Sequence, residues 1–178
     1  MTMKKLISVA VLSILVCSFL VGCGWHLRGA GTAQVLGNIG QVFVSGDDST
    51  LLYRSVIKSL KFSNVGIADT SATAEIIITL INQRSKSRTA TVSSSARISE
   101  LQIIELVDVI ISTGNGEVLL PKTTLRREKF FTYNEDNVST NNEENKMLKR
   151  EMIRKLAKNI IRRLNATIKM MDQNEPES

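Results

Sequence analysis

Histidine and tryptophan occur once each in these 178 residues, cysteine and proline twice each, and aromatic side chains make up only 4% of the chain. These shortages close off several classes of function. A single histidine, His26, leaves no material for a histidine-based catalytic triad or a multi-histidine metal site. The carboxylates form no spaced acid–base pair. Gly114-Asn-Gly116 is glycine-rich, but no P-loop lysine-serine or dinucleotide glycine pattern follows it, so it reads as a turn. No enzyme and no cofactor is expected. With so few aromatics, the core should be built mainly from Ile, Val and Leu.

Long apolar runs are also scarce, apart from one at the start. Met1 to Lys5 carries two lysines and no acid; Leu6 to Val16 is apolar except for Ser8 and Ser13, and Phe19 to Val21 continue it. A basic start, an apolar middle and small residues at the end is the layout of a secretory signal peptide. An uncleaved anchor competes on length alone, because Leu6 to Trp25 matches the ~20 residues of a spanning helix. The junction favours cleavage. Leu20-Val21-Gly22-Cys23 resembles the lipobox of bacterial lipoproteins. That resemblance implies a diacylglycerol thioether on Cys23, removal of residues 1–22 and acylation of the new amine. Several acyl chains together anchor stably where one does not. Gly24 stands where an aspartate would be associated with inner-membrane retention, which implies the outer membrane, with the bulk of the domain facing the periplasm. Cys17 leaves with the leader, so the mature chain has no free thiol and no disulfide.

The mature chain, 23 to 178, has 156 residues, enough for one domain, and its formal net charge falls from +6 to +4. Residues 23–40 read as a lipidated, glycine-rich tether. Residues 41–172 form the domain, and 173–178 a disordered tail. Gln41 to Ser45 is a short strand. Asp48 or Ser49 can cap a helix carrying Leu52, Tyr53, Val56, Ile57 and Leu60 on one face, with Lys58 and Lys61 off that face and a stop at Asn64 to Gly66. Glu75 to Ile81 is a strand apolar on both faces. It continues through Asn82 to Val92, where Arg84, Lys86 and Arg88 fall two apart and project to one side. Ser93 to Arg97 is a turn. Ile98 to Ile111 could form a helix, but its β-branched run Val107 to Ile111 favours a strand. Thr113-Gly-Asn-Gly116 is a hairpin signal. Val118 to Phe131 is the next strand, interrupted or not at Pro121. Thr132 to Asn145 reads as an exposed loop. A final helix carries Leu148, Met152, Leu156, Ile160 and Leu164 at four-residue spacing. The expected fold is α+β: a two-layer sandwich, with about four strands in a mixed or antiparallel sheet and two helices on one face.

Two basic features stand out. One is Arg84, Lys86, Arg88 and Arg97 around the first long hairpin. The other is the polar face of the last helix: Lys149, Arg150, Arg154, Lys155, Lys158, Arg162 and Arg163. Either can be ordinary solvated surface, or can meet an anionic partner. Export argues against nucleic acid and leaves lipid head groups and lipopolysaccharide phosphates, which arginine binds well. The sequons at Asn137 and Asn165 are treated as chance matches.

The stretch "GCGWHLRG", Gly22 to Gly29, resembles the start of the mature LptE family, also called rare lipoprotein B, in its cysteine, glycine, aromatic and leucine-arginine pair (Cys23, Gly24, Trp25, Leu27 and Arg28). "REKFFTYNEDN" (Arg127 to Asn137) and "KREM" (Lys149 to Met152) echo the family's last strand and helix, and the order strand, helix, three strands, helix is shared. The resemblance implies a non-enzymatic protein that plugs the LptD barrel, supports its assembly and aids insertion of lipopolysaccharide into the outer leaflet. It also implies lipopolysaccharide contact at the tip of the first long hairpin, where Arg97 is the nearest match, joined by Arg84, Lys86 and Arg88. A second basic position of the family, before the last helix, has no counterpart in Ser139-Thr-Asn-Asn142. Two further readings stay open: a scaffold of another outer-membrane complex, such as barrel assembly, and a periplasmic carrier with an apolar lipid pocket.

Overall fold

The computed structural model describes residues 39–94, 98–134 and 136–174. The leader, Cys23, the tether up to residue 38, Arg97 and the last four residues lie outside them. Five strands and two helices follow in the order β1 (Gln41–Ser45), α1 (Leu51–Phe62), β2 (Gly66–Ile67), β3 (Ile76–Val92), β4 (Ile98–Thr113), β5 (Val118–Thr132) and α2 (Val138–Asn174). The sheet order is β2-β1-β3-β4-β5. β1 lies parallel to β2 and β3, while β3, β4 and β5 form an antiparallel meander. This is the expected two-layer α+β sandwich with one strand more than the sequence suggested. The addition is β2, whose two residues are too few to show a period.

Three element boundaries differ from the sequence reading, each for a local reason. Thr50, not Asp48 or Ser49, caps α1: its Oγ1 accepts from the Tyr53 N–H at 3.2 Å. Asp47 instead binds the Ser49 N–H and hydroxyl. At the other end the left-handed residue is Asn64, at φ 58°, rather than Gly66. Asparagine tolerates that region better than other non-glycine residues, and it frees Gly66 to enter β2. The largest difference is at α2. The Asn-rich stretch expected as loop up to residue 145 is helical from Val138. Asn137 caps it, its Oδ1 accepting from the Thr140 N–H and hydroxyl. Asn141 then clamps the incoming chain, accepting from the Asn134 N–H and donating to the Asn134 carbonyl. Asparagine is a weak helix former inside a helix but a strong cap, and here it serves as cap and clamp.

The core lies between the sheet and the helices. Leu52, Val56 and Leu60 of α1 meet Val42, Val44, Ile76, Ile78, Val107, Val109 and Ile111, together with Leu156, Ile160 and Leu164 of α2. A second cluster joins Leu148 and Met152 to Ile103 and Phe131. Four-residue spacing overshoots a helical turn by about 40°, so the apolar stripe of α2 winds from the second cluster to the first. The apolar run of β3 divides by face. Ile76, Ile78 and Leu80 are buried in the core, while Ile77 is half-buried and Ile81 is exposed on the face without helices.

Past Ile81 the register of β3 against β4 slips, Ile81 facing Asp108 and Arg84 facing Leu106. Asn82 absorbs the extra residue at φ 53°. A single-residue slip moves side chains to the opposite face of a sheet. Counting in twos from Leu80 would put Arg84, Lys86 and Arg88 under the helices. The bulge puts them on the helix-free face, beside Leu106, Ile104 and Gln102.

The β4–β5 turn closes with the Gly116 N–H on the Thr113 carbonyl and Gly116 at φ 89°. Gly114 has a different reason to be glycine: a Cβ there would come within 2.1 Å of the Ala74 carbonyl oxygen. Pro121 does not interrupt β5. It sits in a register slip between Leu120 and Thr123 on an edge strand, where a missing N–H costs no ladder bond.

Candidate site on the helix-free sheet face

β4 is the middle strand of the meander, and every second residue of it faces away from the helices. Two of these are polar and buried, Gln102 and Asp108. Asp108 is only 3% exposed. Asn82 donates to its Oδ2 at 3.0 Å, and Thr124 and Arg84 donate to its Oδ1 at 2.7 and 3.1 Å. Lys122 adds an ion pair at 3.6 Å. The hydrogen bonds from Asn82 and Thr124, then the charges of Arg84 and Lys122, hold the Asp108 carboxyl below the usual carboxylate range. Further along β4, Gln102 accepts from the Arg88 guanidinium and donates to Glu128 at 2.9 Å. Glu128 also takes Arg126 at 2.5 Å.

The bases named from sequence therefore stand in different conditions. Arg84 and Arg88 are brought to one face, as the two-residue spacing predicted, but each already has a partner on β4. Lys86, between them, is exposed and has no ion pair among the described residues. Its register partner is the buried Ile104, so its stem can lie over apolar surface with the ammonium in water. Arg97 lies outside the described residues. Beyond the bulge β3 is exposed, and β1 pairs only with Ile76 to Thr79. Among the described residues no strand pairs with the outer edge of this arm, and its helix-free face carries the bases.

Sequence reasoning missed Asp108, Gln102, Asn82 and Glu128. The signal was present: Gln102, Glu105 and Asp108 interrupt the apolar run of β4. Glu105 belongs to the other face. It is buried beneath α2, and Ser85 donates to it at 2.6 Å. Burial pushes its carboxyl above the usual range, and the Ser85 bond and the charge of Lys149 offset this in part. Arg127 is its register partner on β5, with a buried Nε that has no hydrogen-bond partner.

No three His, Cys, Asp or Glu side chains gather as a metal site among the described residues. A cleft beside the start of α1 is lined by Asp47, Thr50, Leu80, Ile81, Asn82, Gln83 and Ser85. No helix among the described residues is long and apolar enough to cross a membrane.

Three solved structures share this fold. Rare lipoprotein B from Shewanella oneidensis superposes with a TM-score of 0.68 at 19% identity, covering 75% of this chain and 99% of that one. A lipoprotein B from Nitrosomonas europaea gives 0.67 at 13% identity, over 79% and 92%. A minor lipoprotein from Acinetobacter baumannii gives 0.59 at 17%, over 71% and 90%. At such identities the likeness establishes the fold alone. No curated protein matches the sequence. The model of the LptE lipopolysaccharide-assembly family matches residues 39–164, which run from the entry to β1 through most of α2. The chain therefore belongs to the LptE family of outer-membrane lipoproteins.

Proposed function

We propose that this protein is the lipoprotein partner of an LptD-type outer-membrane barrel, which it plugs and helps to assemble, and that it aids delivery of lipopolysaccharide to the outer leaflet. The observation that carries the reading is the family match across both helices and all five strands. Residues 1–22 act as a signal peptide, Cys23 is the acylated residue, and residues 23–40 tether the domain to the bilayer. The role is non-enzymatic.

Lipopolysaccharide contact falls to the open arm of β3. Lys86 and Arg97 supply charge for phosphate, while Arg84 and Arg88 are held in place by Asp108 and Gln102 and line the same face. Arginine and lysine suit phosphate because charge-assisted hydrogen bonds are shorter and stronger than neutral ones.

The test is affinity isolation of the tagged, full-length protein from outer membranes, with the co-purifying barrel identified by mass. Recovery of an LptD-type barrel in fixed proportion supports the reading. Recovery of a different barrel would overturn it in favour of another assembly complex.

A further inference from the structure

α2 covers two separate apolar clusters, although its own buried row runs without a break. Leu148 and Met152 pack with Ile103 and Phe131, while Leu156, Ile160 and Leu164 belong to the main cluster. The break lies in the sheet. On β4 the helix-facing residues run Ile103, Glu105, Val107, and their register partners on β5 are Lys129, Arg127 and Leu125. Ser85 of β3 faces Glu105 from the other side. A polar layer of Ser85, Glu105 and Arg127 thus crosses three strands in register between the two clusters. α1, β1 and β2 contribute only to the main cluster. Past the Asn82 bulge, β3 adds no apolar side chain to either cluster among the described residues.

The polar layer gains little from its burial. Glu105 is 2% exposed, and the Ser85 hydroxyl donates to it at 2.6 Å, with Lys149 of α2 supplying opposite charge. Arg127 Nε is buried without a hydrogen-bond partner. So is Oδ1 of Asn145, which precedes Leu148 and Met152 at helical spacing on α2. A third atom of this kind, Asn165 Oδ1, lies in the other half of the helix. Buried charge and unpaired polar atoms cost free energy, and access to water recovers that cost. The start of α2 is also weak helix. Val138, Thr140, Asn141, Asn142 and Asn145 all have low helix propensity, whereas Leu, Lys, Arg and Met dominate from Lys146 onward.

We propose that the hairpin end of the molecule opens as one unit while the main core stays folded, with the layer of Ser85, Glu105 and Arg127 as its boundary. The unit comprises residues 138–152 of α2, 98–104 of β4, 128–132 of β5 and 86–92 of β3. Opening parts Leu148 and Met152 from Ile103 and Phe131, and it hydrates Glu105, Arg127 Nε and Asn145 Oδ1. The loss is confined to the smaller cluster and is offset by the polar groups, so this opening lies below global unfolding, as sub-global openings do in general. Lys86 and Arg88 ride on the unit, so the opening changes where these bases stand relative to the main core. The proposal concerns the chain alone and does not depend on the barrel partnership.

The experiment is native-state hydrogen exchange on the full-length protein in detergent, read segment by segment by mass spectrometry. Segments 142–152, 101–104 and 129–131 should share one rate and one response to low denaturant. That rate should be on the order of a hundredfold faster than in 156–164 and 107–111. Met152→Ala should speed exchange in the hairpin-end segments and leave 156–164 unchanged. Glu105→Leu joins the two clusters and should slow the hairpin-end segments several-fold; Glu105→Gln, which keeps the size and removes the charge, should slow them less, and carries the test if the leucine variant does not fold. A single rate throughout both groups overturns the proposal. So does fast exchange in 142–152 alone, which is fraying of the helix and not a shared opening. If neither change at Glu105 slows the hairpin end, the polar layer is not the boundary and the proposal fails.

Discussion

Asn82 donates a 3.0 Å hydrogen bond to Asp108 across the bulge that turns the outer half of β3 over. The bond couples a backbone irregularity to a buried charge. Asn82 sits at φ 53° because the slip requires it, and its amide is there to hold the carboxylate that Arg84 and Lys122 also reach. Asp108 titrates below the ordinary carboxylate range in the folded protein. A depressed folded pKa stabilises the fold at pH above the unfolded value, and that contribution is lost as pH falls through the folded value. The wild type should therefore lose thermal stability on acidification below about pH 4, and Asp108→Asn should show a smaller loss over that window while being less stable at neutral pH. Identical pH profiles for the two proteins would remove Asp108 from this role.

Glu105 carries the opposite sign. Its folded pKa is raised by burial under α2, so the charged form at neutral pH costs stability, and the cost fades as pH falls toward the unfolded value. Glu105→Gln keeps an acceptor for the Ser85 hydroxyl and removes the charge. It should raise the denaturant midpoint at neutral pH and have little effect near pH 4. A lower midpoint at neutral pH would show that Lys149 and Arg127 need the carboxylate more than burial opposes it.

The fold was readable from sequence where periodicity ran long. The β-branched run Val107 to Ile111 marked β4 as a strand, and the four-residue row from Leu148 to Leu164 declared α2, because that row buries one helix face over several turns. What escaped was set by single residues. β2 is two residues long, the start of α2 depends on asparagines acting as caps, and the face of Arg84, Lys86 and Arg88 depends on one left-handed Asn82. Two-residue spacing predicted that these three bases share a face. It could not predict which face, because a one-residue slip inverts the answer. Their partners were hidden for a related reason. Asp108 lies 24 residues from Arg84 and Gln102 lies 14 from Arg88, and only strand pairing brings them together.

Leu156 and Arg154 test the two sides of α2. Leu156 is fully buried in the main cluster, and Arg154 is exposed. Leu156→Ala should cost ~2–5 kcal/mol of unfolding free energy, from lost apolar burial and the cavity left behind. Arg154→Ala should stay within ~0.5 kcal/mol, and removing one like charge from the polar face of α2 works in its favour. Equal losses in denaturant titrations would mean that the helix packs differently.

Cys23 is proposed as the acylated residue, following Leu20-Val21-Gly22 at the end of the apolar leader. Cys23→Ser should leave a precursor about two kilodaltons heavier than the processed polypeptide, with no acyl chain detectable by mass. This figure follows from the 22 residues of the leader. The prediction fails if the variant is cut at residue 22 and acylated as the wild type is.

The hairpin arm gives the last prediction. Arg97 and Lys86 are proposed to meet lipopolysaccharide phosphates, and the competing role for these bases is to keep the open edge of β3 from pairing with another chain, as edge charges commonly do. The two roles part on ligand dependence. Phosphate contact should make binding of lipopolysaccharide by the protein fall with salt, since exposed charges are screened within about 8 Å at physiological ionic strength and about 3 Å at 1 M. It should also fall when the lipid is dephosphorylated. Edge protection predicts neither, and predicts aggregation when the charges go. Lys86→Ala and Arg97→Asp should each weaken binding to intact lipid and have little effect on the weaker binding to dephosphorylated lipid. Arg84→Ala should act mainly on stability, because its guanidinium is committed to Asp108. If Arg97→Asp and Lys86→Ala bind both lipids as the wild type does, and differ only in aggregating sooner, the arm is a guarded edge and the lipid site lies elsewhere.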